Sequence, residues 1–394
     1  MKHWMIALML ATAPALATAT PGPSDAPRGE MAVVFQAMAE LLVLSSSQAG
    51  FAPERVHPQA ATAFDRLGDA SMALLEHAED RAPDFFASSR GLVQDVEAAR
   101  LAFDVGRFEE ARFRLELVTG RCIDCHSRVP DLEDSRLSDR WLESARLQHL
   151  PRPRQARLLV ATRRFDAAMD AWEATFAEPT RKPLDAEAAG LLRDYLAISI
   201  RVKRDLERPQ AVLLRLADRA DTPRHLKRRL RSRAAALAAV EASRTTVHAS
   251  DEFARAKALI EDRRKLAASP FTDEGLVHDL VASSLILTWI DSQRPFDVAK
   301  TDPELAEAWW LLGRIESRVQ SIAWFSRMEV YMESAVRAAP AGPFAELAYE
   351  ALEESLLVTY GAPTADGLPE PERKRLEDVR ALLADDSPAA NSGG

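Results

Sequence analysis

Residues 106–126 read GRFEEARFRLELVTGRCIDCH, and this stretch decides the fold. Its buried-type positions recur at alternating intervals of three and four residues, the spacing of one helix face: Phe108, Ala111, Leu115, Val118, Cys122 and Cys125. Gly106 at the beginning of the stretch and Pro130 beyond its end are typical start and stop signals. We therefore predict a helix whose core-facing stripe ends in two cysteines.

The two cysteines and the next residue, Cys122, Cys125 and His126, form the pattern CxxCH. This pattern is the attachment motif of c-type haem. Thiols three positions apart lie on one side of a helix, so each can bond one of the two vinyl groups of a haem. The imidazole of His126 then comes under the iron as its proximal ligand. The sequence predicts one covalent haem c.

Cys122 and Cys125 are the chain's only cysteines, and a CxxC pair has other uses in proteins. A disulfide between them would cross-link almost nothing. A redox-active CxxC belongs near a βαβ pattern, and no strand-like run lies near this pair. A structural zinc site needs four ligands, and no second Cys/His cluster follows. Haem attachment is the interpretation that uses all three residues of the motif.

Three earlier segments show the same helical spacing of apolar residues, at positions 31–45, 64–78 and 85–103. Together with the cysteine-bearing helix they make four helices of about 20 residues joined by short connections. Such a series predicts an up-down-up-down bundle with a cofactor in its core. We place this domain at residues 20–134.

Residues 28–130, about a quarter of the chain, resemble the class II cytochromes c, the four-helix family of cytochrome c prime and its low-spin relatives. In that family CxxCH lies near the end of the fourth helix, as Cys122–His126 does here. The stretch from Gly106 to His126 is also similar to the last helix of the soluble four-helix cytochromes b. The resemblance implies a haem held inside the bundle.

The resemblance also implies candidates for the other face of the iron. In low-spin relatives a methionine near the start of helix one binds the iron, and Met31 occupies the matching place; Met38, one heptad on, is the second choice. Both could instead be core residues, as methionines at helical spacing usually are. High-spin relatives have an apolar, open distal side. Arg121 and Arg128 flank the motif and could pair with haem propionates or be solvated helix residues.

Residues 135–384 continue as helices broken by prolines, which suggests an α-solenoid. Two segments, Ala156–Pro179 and Glu307–Pro340, resemble tetratricopeptide units, although a non-repeating helical domain is the alternative. Such arrays bind peptides or proteins, which implies docking of a redox partner. A basic run between Arg224 and Arg233 is either a solvated face or a docking strip for an acidic partner or anionic membrane.

The N-terminus is typical of an export signal, with Lys2, an apolar run from Trp4 to Leu10, and small residues around Ala19 as the cleavage site. That run is much shorter than the roughly 20 residues of a membrane span. No transmembrane segment is expected. We predict a leader at residues 1–19, a periplasmic location, and a disordered tail at residues 385–394, which are polar and rich in Gly, Ser and Asn.

The net charge of −9 argues against a nucleic-acid binder. No Ser/His/Asp set, Gly-rich phosphate loop or HExxH occurs, and the first-helix stripe lacks the polar acid-base pair of a haem peroxidase. The chain is therefore not expected to be an enzyme. Electron transfer through one haem is the leading prediction. The alternatives are a gas-binding protein for NO or CO with an open distal site, and a haem-bearing protein-interaction adaptor.

Overall fold

A computed structural model of the protein describes residues 26–45, 51, 57–78, 83–128, 151–178, 186–244, 252–266, 275–293, 301–319 and 327–385. Every regular element within these ranges is helical, which confirms the predicted all-α class for them. The predicted leader, Pro130, and all of the predicted tail except Asp385, the last residue of the final helix, lie outside the described residues.

The first four helices contain the four predicted stripes: α1 (Ala26–Ser45), α2 (His57–Glu76), α3 (Pro83–Asp104) and α4 (Phe108–His126). Each packs against the next in the chain, and α1 also contacts α4. Their apolar faces meet in one core, because the stripe positions of all four helices point inward, among them Val34, Leu41, Phe64, Leu67, Val96, Phe103, Leu115 and Val118.

The turn between α3 and α4 requires its glycine. Gly106 has a φ of +75°, a left-handed conformation that costs other residues energy. Beside this turn the rings of Phe51, Phe64 and Phe103 pack with centroids 5.1–6.0 Å apart. Phe108, the first residue of α4, packs against Phe103 with a centroid distance of 5.8 Å. The helix then runs 19 residues to His126.

The rest of the described chain folds into further helices: α5 (Arg152–Ala161), α6 (Phe165–Ala177), α7 (Ala186–Ala197), α8 (Glu207–Asp218), α9 (Arg224–Arg244), α10 (Glu252–Leu266), α11 (Leu276–Ser292), α12 (Pro303–Glu316), α13 (Met328–Ala338), α14 (Ala345–Tyr360) and α15 (Glu370–Asp385). A π-helical turn, Ile198–Val202, follows α7. Neighbouring helices pack in pairs, α5 with α6, α8 with α9, α10 with α11, and α12 with α13. The two segments that resemble tetratricopeptide units each correspond to one such pair.

Helix α11 lies at the centre of this second region. Every residue from Leu276 to Ser284 is buried, as expected of a helix that is covered on all sides. None of the described helices combines the length and the apolar composition needed to cross a membrane.

The two parts of the chain touch around the end of α4. Helix α4 packs against α5, and α3 packs against α13. Ile123, between the two cysteines, belongs to the core of the second region and is fully buried there with Val160 and Phe165. The predicted haem motif therefore lies where the two cores meet.

Candidate functional site

Cys122 and Cys125 lie in the last two turns of helix α4. Cys122 and Cys125 are partly buried and follow Leu115 and Val118 along one face, with no disulfide between them. The residues between them, Ile123 and Asp124, point to other sides of the helix and are fully buried. Two thiols thus lie one turn apart on a single face.

The thiol of Cys122 is poorly solvated. Burial, with a smaller contribution from neighbouring Cys125, raises its pKa to about 12 from the ordinary 9.0. A dithiol redox centre instead needs a thiolate, which comes from a lowered pKa. The environment of Cys122 therefore does not favour a redox-active thiolate.

The imidazole of His126 is held by the second region. Its Nδ1 lies 3.0 Å from the carbonyl oxygen of Ala161, the last residue of α5. Carbonyl groups in the last turn of a helix have no partner within that helix, so the end of α5 offers an acceptor. The bond assigns the proton to Nδ1, which donates it to this carbonyl, and leaves Nε2 with a lone pair.

The same environment keeps His126 neutral. Burial, together with the guanidinium of Arg163, lowers the pKa of His126 to about 4 from 6.5. A neutral imidazole whose other nitrogen donates to a backbone carbonyl is the usual state of a histidine metal ligand. Arg163 itself has a φ of 59°, an uncommon conformation for a residue other than glycine, in the tight turn between α5 and α6.

Arg121 lies across α3, where its Nε donates to Asp95 at 2.7 Å. The Arg121 side chain passes close to Gly91 on α3. A Cβ at position 91 would come within 2.8 Å of the Arg121 guanidinium carbon, so this path of the side chain requires a glycine there. The arginine is partly exposed. Its predicted contact with a haem propionate stays a prediction, and Asp95 is the carboxylate it binds in this structure.

Arg128 is almost completely buried rather than solvated. It pairs with Asp124 at 2.7 Å and with Glu316, at the end of α12, at 2.8 Å. Burial alone raises the pKa of Asp124, but the guanidiniums of Arg128 and Arg327 outweigh burial and lower it. Arg128 thus binds protein carboxylates on the side of the second region, and its predicted propionate contact also stays a prediction.

The two candidate distal methionines both lie on the inner face of α1. Met38 is buried in the core of the first four helices, and Met31 packs against that core while remaining partly exposed. The more exposed position of Met31 is compatible with a ligand at the edge of the core, whereas Met38 has the surroundings of a packing residue.

The residues at the end of α4 fit a covalently attached haem. They supply two thiols on one face and a neutral histidine whose Nδ1 is already engaged. Among the described residues, no group of three or more His, Cys, Asp or Glu side chains is arranged to hold a metal ion by itself.

Several residues around the motif were not predicted from the sequence. The carbonyl of Ala161 carries no side-chain signal. Arg201 could have been found from the sequence. It lies in the mostly apolar run Ile198–Val202, and a charged residue within such a run must be buried with a partner. It binds Glu316 at 2.6 Å.

Comparison with protein-family models, with curated proteins and with solved structures found no match for this chain. The resemblance to the class II cytochromes c stays a prediction.

Proposed function

We propose that this chain is a mono-haem c-type cytochrome that transfers electrons, with the haem bonded to Cys122 and Cys125 and ligated by His126. The observation that carries the proposal is the contact of His126 Nδ1 with the carbonyl of Ala161, made by a histidine that directly follows two thiols on one helix face. A histidine that serves only packing does not require an adjacent pair of thiols. A redox-active dithiol does not require a histidine beside it.

Cys122, Cys125 and His126 have separate roles in binding the haem. Cys122 and Cys125 would hold the haem through thioether bonds, each made by addition of a thiol across one vinyl group, with the thiol hydrogen passing to the second vinyl carbon. His126 would bind the iron through Nε2, because its Nδ1 donates to the carbonyl of Ala161. When bound, the haem supplies one-electron exchange between its ferric and ferrous states.

The surroundings of the motif support electron exchange rather than catalysis. Ile123 and Asp124, the two residues between the cysteines, are fully buried and contact the second region. A rigid iron ligand keeps the geometry the same in both oxidation states. The side chains of α1 that face the core of the bundle are apolar, among them Val34, Met38 and Leu41.

The finer architecture belongs to this proposal. Residues 20–134 form a four-helix haem bundle, and residues 135–384 form a tetratricopeptide-like solenoid that docks a redox protein in the periplasm. The helix pairs α5–α6 and α12–α13 support the repeat. The first turns of α9 expose Arg224, Arg228 and Arg231, of which Arg231 pairs with Asp218 at the end of α8. A surface rich in arginine favours an acidic partner.

On the distal side we propose Met31 as the sixth ligand, which would raise the reduction potential and close the iron to gases. If the oxidised protein lacks the charge-transfer band of Met–iron ligation and the native protein binds carbon monoxide readily, the gas-binding alternative replaces electron transfer. An absorption spectrum of the purified protein is the measurement that separates the two.

The first experiment tests covalent attachment. The full chain is produced with its leader in a host that matures c-type cytochromes, and the double variant Cys122→Ala/Cys125→Ala is produced alongside. We expect haem staining of the native band on a denaturing gel, and none for the variant, because the thioether bonds are lost. Haem staining that persists in the double variant contradicts the attachment, and absence of staining in the native chain contradicts the proposal as a whole.

The control separates ligation from attachment. His126→Ala keeps both thiols, so its haem, where retained, is misligated. His77→Ala is the matched control, because His77 is an exposed histidine just after α2. We expect His77→Ala to keep the native spectrum.

A further inference from the structure

A buried charged side chain lies on the back of the predicted haem motif. Asp124 is two residues from Cys122, and at about 100° per residue its side chain leaves α4 on nearly the opposite side. The carboxylate is fully buried, and it pairs with Arg128 at 2.7 Å and with Arg327 Nε at 2.6 Å. Arg327, the residue before α13, lies 203 positions along the chain.

This pair belongs to a larger buried network, defined by Asp124, Arg128, Arg201, Glu316 and Arg327. Arg128 and Arg201 both bind Glu316, at 2.8 and 2.6 Å. Arg201 also donates to Ser283 on α11, and Arg327 also donates to Ser88 on α3. The side chains of all five charged members are at most 5% exposed.

Such a network fixes geometry more than it adds stability. Taking charges out of water offsets most of the attraction between them, so the net gain is small. Separating one member is nevertheless very unfavourable, because it leaves an uncompensated charge in the interior. The back of the motif can therefore shift relative to the second region only by breaking ion pairs.

We propose that Arg327 is a positioning residue for the haem, holding the Cys122–His126 turn through Asp124, so that the second region helps to set the reduction potential. This inference rests on the proposed function. The iron centre carries one more positive charge when oxidised, so a nearby carboxylate favours the ferric state and a nearby guanidinium favours the ferrous state. Both groups lie in an environment with little water, where such effects are weakly screened.

The test measures the midpoint potential of the full haem-loaded chain for Asp124→Asn and for Arg327→Gln. We expect the potential to rise for Asp124→Asn and to fall for Arg327→Gln. A purely mechanical loosening would admit water in both variants and move both potentials in the same direction. Opposite shifts support the proposal; shifts of the same sign, or none, overturn it.

Two further variants guard against loss of folding. Arg327→Lys keeps the charge, and its potential should lie nearer to the native value than that of Arg327→Gln. Arg337→Gln is the matched control on α13, because Arg337 pairs with Glu333 at the surface, and its potential should be native. If Arg327→Lys shifts the potential as far as Arg327→Gln, or Arg337→Gln shifts it equally, the assignment is wrong.

Amide hydrogen exchange across residues 122–128 provides a readout that needs no haem. Arg327→Gln should accelerate exchange in this segment, and Arg337→Gln should not. A native chain without covalent haem that still shows this acceleration would contradict the proposed function while supporting the positioning role. If the chain carries haem but Arg327→Gln does not accelerate exchange, only the positioning role is overturned.

Discussion

Replacing Glu316 with Gln removes the carboxylate that bridges two buried guanidiniums. Glu316 ends α12 and binds Arg128 and Arg201, and all three side chains are at most 3% exposed. Glutamine has nearly the same shape, so the substitution removes a charge with little change in volume. Arg128 keeps Asp124 as a charged partner. Arg201 keeps the hydroxyl of Ser283 at 2.8 Å.

The size of the effect follows from this burial. Removing one partner of a buried ion pair costs about 3–5 kcal/mol, because the remaining charge is left without compensation. An exposed pair contributes only about 0–1 kcal/mol. We therefore expect Glu316→Gln to lower the free energy of unfolding by about 3–5 kcal/mol.

The assay is urea unfolding of the full chain at neutral pH, followed by far-UV circular dichroism. Urea is uncharged and does not screen the ion pairs. Glu307→Gln is the matched control on the same helix, because Glu307 binds Lys257 at 3.2 Å near the surface. Its loss should be no more than about 1 kcal/mol.

A triple variant tests the cause. Replacing Glu316 with Leu, and Arg128 and Arg201 with Met, removes all three groups together and leaves no unpaired charge among them. We expect it to recover most of the stability lost in Glu316→Gln, since buried ion triads can be exchanged for apolar residues at little cost. A loss in Glu316→Gln no larger than that of Glu307→Gln would refute the reasoning.

Three other predictions concern the distal ligand, pH and the domain boundary. Met31→Ala should give a high-spin spectrum and new carbon monoxide binding. Met38→Ala removes a core side chain and should mainly lower the melting temperature. The reverse pattern would make Met38 the ligand. Burial raises the pKa of Asp194 to about 7 from 3.8, so the stability this protonated group contributes is present below about pH 4 and is lost as the pH rises through 7. Asp194→Asn should therefore lose less stability than the native chain between pH 5 and pH 8 in urea unfolding. A fragment of residues 20–134 should fold and keep its haem, but with a lower melting temperature than the haem region of the full chain, since it lacks Ala161, which binds His126, and Arg327, which binds Asp124. An equal melting temperature would mean that the buried network does not support the motif.

Local pattern was enough to predict the helices around the motif. The stripe from Phe108 to Cys125 specifies a helix and the side it buries, and α4 begins two residues after Gly106. The CxxCH pattern is likewise recognised from residues that lie within five positions of one another. Each of these features depends on residues within one or two turns of one another, which is the range over which helical periodicity carries information.

The surroundings of the motif depend on residues far away in the chain. The acceptor for His126 lies 35 positions on and belongs to the backbone, which has no residue-specific signal. Arg128 was expected at a propionate or in solvent, because an arginine after a helix is usually exposed. Its burial depends on Glu316, 188 positions away, and no local pattern relates the two.

The long separation between Asp124 and Arg327 has a consequence for the order of assembly. The chain is synthesised from its N-terminus at about 5–20 residues per second, so residue 327 follows residue 124 by roughly 10–40 s. During that interval the motif has left the ribosome and its buried partner has not been made. The back of α4 therefore cannot be sealed before nearly the whole chain is present.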